Sequence, residues 1–175
     1  MSRLNDTPAP GFPVMPAVPD SPDALFAQFA VQLGYSFDGE IKRGGNYTAV
    51  VRDGDQVYVS GQVPRVGDRI VVTGRVGDDV TLAEARHAAQ ICAMRALALL
   101  RQEMGSLARV RRLLRVTVFV QCSADFTQHS EVADAASEVF YTVLSQAGVH
   151  TRTSVGVFAL PKNAAVELDL IAAAT

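Results

Sequence analysis

The residue pattern predicts an α+β domain in which two long helices pack on one face of a mixed sheet. Three observations carry that expectation. Two long stretches, starting near Thr81 and Thr127, repeat apolar residues at helical spacing and close at Gly105 and Gly148. Several shorter stretches have the composition and period of strands. The order reads helix, three strands, helix, strand, helix, two strands, without an internal repeat.

Taken in order, residues 1–20 carry Pro8, Pro10, Pro13, Pro16 and Pro19. Prolines so close together exclude a helix and cannot ladder into a central strand, so a flexible, extended arm is expected. Residues 21–45 read as a helix and a linker. Ser21 suits the N-cap, Pro22 the first helical position and Gly34 the C-terminal stop. The main domain then spans 46–175. Residues 46–51 and 56–62 read as a hairpin around Asp53-Gly54, and 69–73 as a third strand. Thr81-Leu82-Ala83-Glu84 is a capping box that opens the first long helix. Leu82, Ala85, Ala89, Cys92, Ala96 and Leu99 form its apolar stripe, and Arg86, Arg95 and Arg101 mark its solvated side. Residues 110–122 form the longest strand, with Leu114, Val116, Val118 and Val120 on one face. Leu113, Arg115, Thr117, Phe119 and Gln121 take the other. Apolar groups on both faces imply that a second sheet or another subunit covers the side away from the helices. The second long helix covers 127–147. Two final strands flank the turn at Leu160-Pro161-Lys162-Asn163.

The bulk properties exclude several function classes. The chain has 175 residues, enough for one domain with a real core. A net charge of −2 and a pI near 5.9 argue against nucleic acid as a partner, which needs a basic face. No apolar run is long enough to span a bilayer, and no basic-then-apolar leader opens the sequence. Cys92 and Cys122 lie far apart and read as reduced, buried thiols, in keeping with a cytoplasmic protein. Three histidines without ligand spacing offer no metal site.

The chemistry concentrates in the last quarter. Arg152, Ser154, Gly156 and Phe158 share one face of the first strand there. On the second strand, Val166, Leu168 and Leu170 oppose Glu167, Asp169 and Ile171. A guanidinium is a planar, permanent cation that fits a carboxylate. A buried carboxyl group holds its proton more tightly and suits proton transfer. Arg152 and Glu167 on neighbouring strands would bind a small acid and steer a water. The plainer alternatives are a strand-end salt bridge for Arg152 and a solvated position for Glu167. Gly61, between Ser60 and Gln62, permits close approach of a ligand or forms a bulge. Tyr47, just after Gly44-Gly45, either lids a pocket or only packs.

Together these residues resemble the Rid superfamily, the reactive-intermediate imine deaminases formerly described as endoribonucleases or translation inhibitors. The similarity covers roughly residues 47–172. Its most specific part is Arg152-Thr153-Ser154-Val155-Gly156-Val157, then Leu160-Pro161-Lys162 and Val166-Glu167-Leu168. Val59-Ser60-Gly61-Gln62-Val63-Pro64 and Val116-Thr117-Val118-Phe119-Val120 look like two further family strands. The resemblance implies a fold like that of the bacillus-type chorismate mutase, as a homotrimer with a central barrel and clefts between subunits. It implies that Arg152 holds a substrate carboxylate and Glu167 positions water. Tyr47, Ser60, Gly61 and Ser154 would line the cleft, Tyr47 from a neighbouring chain. The implied reaction is hydrolysis of small 2-imino or 2-enamino acids to 2-keto acids and ammonia, without metal or organic cofactor. Ser154 stands where the best-known members have Cys, segment 128–137 is longer, and the N-terminal helix is additional. The chain therefore resembles a divergent subgroup with an N-terminal extension. A non-catalytic metabolite-binding trimer and an RNA-cleaving or translation-inhibiting protein are the alternatives. The acidic pI and the lack of a basic–aromatic patch weigh against the last.

Overall fold

The computed structural model describes residues 21–175, so the expected proline-rich arm lies outside the described residues. Helix α1 (Pro22–Leu33) starts where the Ser21 hydroxyl accepts from the Ala24 amide at 3.2 Å, and it closes on Gly34 in a left-handed conformation. Phe26 is its buried anchor, edge-on to Phe37 with centroids 6.3 Å apart. Asp23 accepts from the Ser106 hydroxyl at 2.6 Å and so ties the helix to the main domain.

Strands β1 (Val50–Asp53) and β2 (Gln56–Gln62) form the expected hairpin. The first strand begins four residues later than the sequence implies, because residues 46–49 stay in a loop. The expected strand at 69–73 is replaced by a two-residue ribbon, β3 (Arg65–Val66) against β4 (Arg69–Ile70). Pro64 before it and Gly67, at φ 57°, confine the pairing to that short span.

Helix α2 (Leu82–Met104) carries the capping box as expected. The Glu84 amide donates to Thr81 Oγ1 at 3.3 Å, and the Thr81 amide donates to Glu84 Oε2 at 2.8 Å. Thr81→Ala removes one half of that exchange. The expected cost is about 1 kcal/mol, read as a fall in melting temperature of about 2–4 °C at this chain length.

Strand β5 (Val110–Gln121) is followed by α3 (His129–Leu144), β6 (Thr151–Val157) and β7 (Val166–Ala174). Helix α3 is shorter than 127–147; its end tightens into a 3-10 turn over Ser145–Gly148. There Gly148 lies so close to the Phe140 carbonyl that a Cβ would overlap it. The main sheet has the order β1-β2-β7-β5-β6, with only β5 and β6 parallel. Helix α3 makes the crossover between those two, and both long helices cover the same face. Val57, Val59, Val116, Val118, Val120, Leu168 and Leu170 fill the space under them. Tyr58, Phe119, Val155 and Asp169 on the other face stay half-buried or exposed.

Four expectations need correction. The two C-terminal strands are not neighbours, because β5 lies between β6 and β7. Bulges in the β5–β7 pairing put Leu113, not Leu114, in the core. Arg95 is not on a solvated side but only 5% exposed, because α2 is covered nearly all round in its second half. Cys92 is fully buried, whereas Cys122 is only partly so.

Candidate functional site

Strand β2 does not run straight. Its register against β7 shifts between Val59 and Gln62, and Ser60 and Gly61 sit in the irregularity. The buried Gln62 side chain staples the bend, donating to the Ser60 carbonyl at 3.0 Å and the Gly61 carbonyl at 3.2 Å. The bulge brings the Gly61 backbone against the side chain of Glu167 on β7. A Cβ at position 61 would overlap Glu167 Oε1 and lie 2.8 Å from its Cδ. Only glycine leaves the carboxylate where it is, so the bulge and the close approach expected at Gly61 occur together.

Glu167 borders a cavity of about 330 Å³. Tyr47, Ser60 and Gly61 line the same space. Tyr47 stands on the loop before β1, its backbone carbonyl accepting from Arg43 at 2.8 Å. No side chain is hydrogen-bonded to or ion-paired with Glu167 among the described residues. Burial raises its proton affinity above that of an ordinary carboxyl, and Asp169 on the same face adds to the effect. Asp169 is raised as well, by burial, against the opposing influence of its hydrogen bond with Thr117.

Arg152 lies elsewhere. Its Cα partner on β5 is Val116, a core residue, whereas Glu167 pairs with Phe119 on the open face. Within one chain the two side chains thus leave opposite faces of the sheet. Arg152 is held against α3: Nη2 meets Asp134 Oδ1 at 2.8 Å, and Nη1 donates to the Ser137 hydroxyl at 2.8 Å. It borders a second, more open depression with Tyr141 and His150. Burial lowers the His150 pKa, so the ring beside Arg152 tends to stay neutral. Ser154, two residues on, shares the face of Arg152 and does not line the Glu167 cavity. Of the six expected residues, the structure brings together Tyr47, Ser60, Gly61 and Glu167, and sets Arg152 and Ser154 apart on the edge strand.

Sequence reasoning missed the cationic wall of the Glu167 cavity, which Lys42, Arg65, Arg95 and Lys162 supply. The available signal was Arg95, a lone charge inside the apolar run Ile91-Cys92-Ala93-Met94-Arg95-Ala96-Leu97. It also missed Gln121, which is 3% exposed. Its Nε2 donates to the Gly74 carbonyl at 3.0 Å and to Asn163 Oδ1 at 2.6 Å, and its Oε1 accepts from the Leu160 amide at 2.8 Å. That one amide fixes the turn that carries Lys162. Among the described residues no group of acids, histidines and cysteines is arranged to hold a metal ion. No described helix is long and apolar enough to cross a membrane.

A helix-covered mixed sheet of this order, with one parallel pair at its edge, is the chorismate-mutase-like fold. The family described as "YjgF/chorismate_mutase-like, putative endoribonuclease" matches residues 31–173, and the chain belongs to it. Protein TCP17 of Trypanosoma cruzi is 36% identical over 141 residues, covering 80% of this chain and 88% of that one. A 2-iminobutanoate/2-iminopropanoate deaminase of Dermatophagoides farinae is 30% identical over 128 residues, covering 73% of this chain and 84% of its own. Among solved structures, the Atu1372 protein of Agrobacterium tumefaciens, of unknown function, superposes with a TM-score of 0.77 at 35% identity. That match covers 86% of this chain and 92% of that one. The family match begins within α1, earlier than the resemblance read from residue 47 onward.

Proposed function

We propose that the protein hydrolyses small 2-imino and 2-enamino acids to 2-keto acids and ammonia. The observation that carries this reading is Glu167: an unpaired, half-buried carboxyl group of raised proton affinity, held against the Gly61 backbone at a cavity. The reaction needs little more than a placed water and a proton acceptor. An enamine first tautomerises to the imine. Glu167 takes a proton from water as the oxygen adds to C2, giving a tetrahedral carbinolamine. That proton passes to the nitrogen, completing the neutral carbinolamine. The hydroxyl proton then follows, through Glu167, as the C2–N bond breaks, so that ammonia leaves and the carbonyl forms. The deaminase named among the relatives supports this reading.

Arg152 serves the same cavity only from a neighbouring copy. It stands on β6, an edge strand, and cannot reach Glu167 of its own chain through the sheet. A homotrimer in which the edge strand of one copy abuts the cavity of the next brings the guanidinium to the substrate carboxylate. Asp134 and Ser137 then orient it. Arg152→Ala should raise KM by about tenfold or more, with the chain still folded. A monomer in sedimentation removes the route by which Arg152 takes part.

The direct test is ketone and ammonia formation from imines made in situ by an amino-acid oxidase. An acceleration over buffer supports the reading; the uncatalysed rate with several 2-imino acids overturns it. The cationic lining of the cavity favours one other reading, a metabolite-binding module without turnover, since Lys42, Arg65, Arg95 and Lys162 would hold a small anion without any chemistry. Saturable binding of a small carboxylate without turnover distinguishes that case.

A further inference from the structure

The Glu167 cavity holds more positive charge than one substrate carboxylate, gripped by Arg152, would require. Lys42, Arg65, Arg95 and Lys162 line it against a single acid, Glu167. Lys42 is committed to Asp68. No carboxylate pairs with the other three among the described residues.

Two of these cations are held at a cost. Arg95 is 5% exposed, and its guanidinium donates only to main-chain carbonyls, those of Arg65 at 3.0 Å and Lys42 at 3.1 Å. Its Nε is buried with no partner at all. Desolvation pulls its pKa down to about 10. A buried cation without a counter-ion opposes folding, and the usual remedy is a nearby acid. Here the cation faces a cavity instead. Lys162 reaches the same space from a turn in which it and Asn163 both take left-handed backbone angles, at φ 58° each. Neither is glycine, so the turn is strained. The buried Gln121 amide, which binds Leu160 and Asn163 together, keeps it so. Strain and buried charge thus converge on one wall of one cavity.

We propose that Arg65, Arg95 and Lys162 form a second anion subsite, and that the ligand of the cavity is a small dicarboxylate. This inference rests on the deaminase reading and narrows it: the substrate is a 2-imino acid whose side chain ends in a second carboxylate. Arg152 of a neighbour takes the carboxylate next to the imine carbon, and the cationic wall takes the other. The volume of about 330 Å³ leaves room for an acid of four or five carbons.

Two measurements on the full chain test it. In the first, calorimetry compares 2-oxoglutarate with 2-oxopentanoate, keto acids of equal chain length that differ in the second carboxylate. The expected result is binding at least about tenfold tighter for 2-oxoglutarate, with that ratio falling towards one in Arg95→Gln and in Lys162→Gln. Arg95 is buried, so its variant is open to misfolding; Lys162 is exposed, and its variant carries the test alone if needed. Equal binding of the two keto acids, or a ratio that survives in Lys162→Gln, overturns the subsite. In the second, hydrolysis of 2-iminosuccinate is compared with that of 2-iminobutanoate. Selective 2-oxoglutarate binding with neither imine hydrolysed keeps the subsite and removes the deaminase reading. Hydrolysis of both imines at equal kcat/KM, with equal keto-acid binding, does the reverse.

Discussion

Glu167→Gln should reduce imine turnover by about 10²–10⁴-fold while leaving the fold intact. The amide keeps the size and most contacts of the carboxyl group but cannot accept the proton that water must lose. The native enzyme should show the complementary pH behaviour. Activity needs the ionised carboxyl, and burial together with Asp169 raises its proton affinity. The acid limb of kcat/KM should therefore lie above the range of an ordinary glutamate. Stability runs in the opposite sense. A carboxyl that binds its proton more tightly when folded favours folding fully below its unfolded pKa, and that contribution is lost as pH rises through the folded value. At neutral pH the native chain carries the cost of the buried charge and the Gln variant does not. The variant should melt higher by no more than about 2–4 °C near pH 7, given solvent screening at a half-buried site. The gap should close below the ordinary carboxyl range. A variant that retains full turnover, or that melts lower at neutral pH, would remove Glu167 from the role proposed for it.

Gly61→Ala should be nearly as damaging to activity, for a geometric reason. The added methyl group occupies the place of Glu167 Oε1. Position 61 has no left-handed backbone angle, so alanine strains nothing there by itself. Glu167 is the free end of a flexible side chain and can swing aside. The fold should therefore tolerate the change, with stability altered by less than about 1 kcal/mol. The carboxyl group, however, moves by roughly an ångström, and misplacement on that scale costs on the order of 10² in rate. Loss of rate with retained melting temperature is the expected signature. Retention of both would mean that the approach of Gly61 to Glu167 is packing alone.

Elements with strong local signals were legible in the sequence. Thr81 and Glu84 announced the start of α2 because both halves of that capping exchange lie within four residues. Gly34, Gly105 and Gly148 marked helix ends or the turns just after them for the same local reason. The assignment of Glu167 to the face away from Leu168 followed from period two and needed no tertiary knowledge. Pairing was less legible. Nothing in the spacing of Arg152 and Glu167 discloses that β5 inserts between their strands, since that order is set by the crossover through α3. The exchange of Leu113 for Leu114 in the core comes from bulges, which shift alternation without a residue type to flag them. Arg95 was misplaced because a charged residue on an amphipathic helix is ordinarily solvated, and the backbone at Lys42 and Arg65 that receives its guanidinium lies far away in sequence. The cationic wall is assembled from four separate segments, so no single stretch could show it.

The clamp made by Gln121 has one more consequence. Its side chain is neutral, and all three of its contacts are internal. The turn bearing Lys162 is thus anchored by a group that does not titrate, while Glu167 across the cavity does. Acidification changes what the chamber attracts without releasing the turn that carries Lys162. Titration curves of binding and turnover should therefore report the charge state of the chamber and not a loosening of that turn.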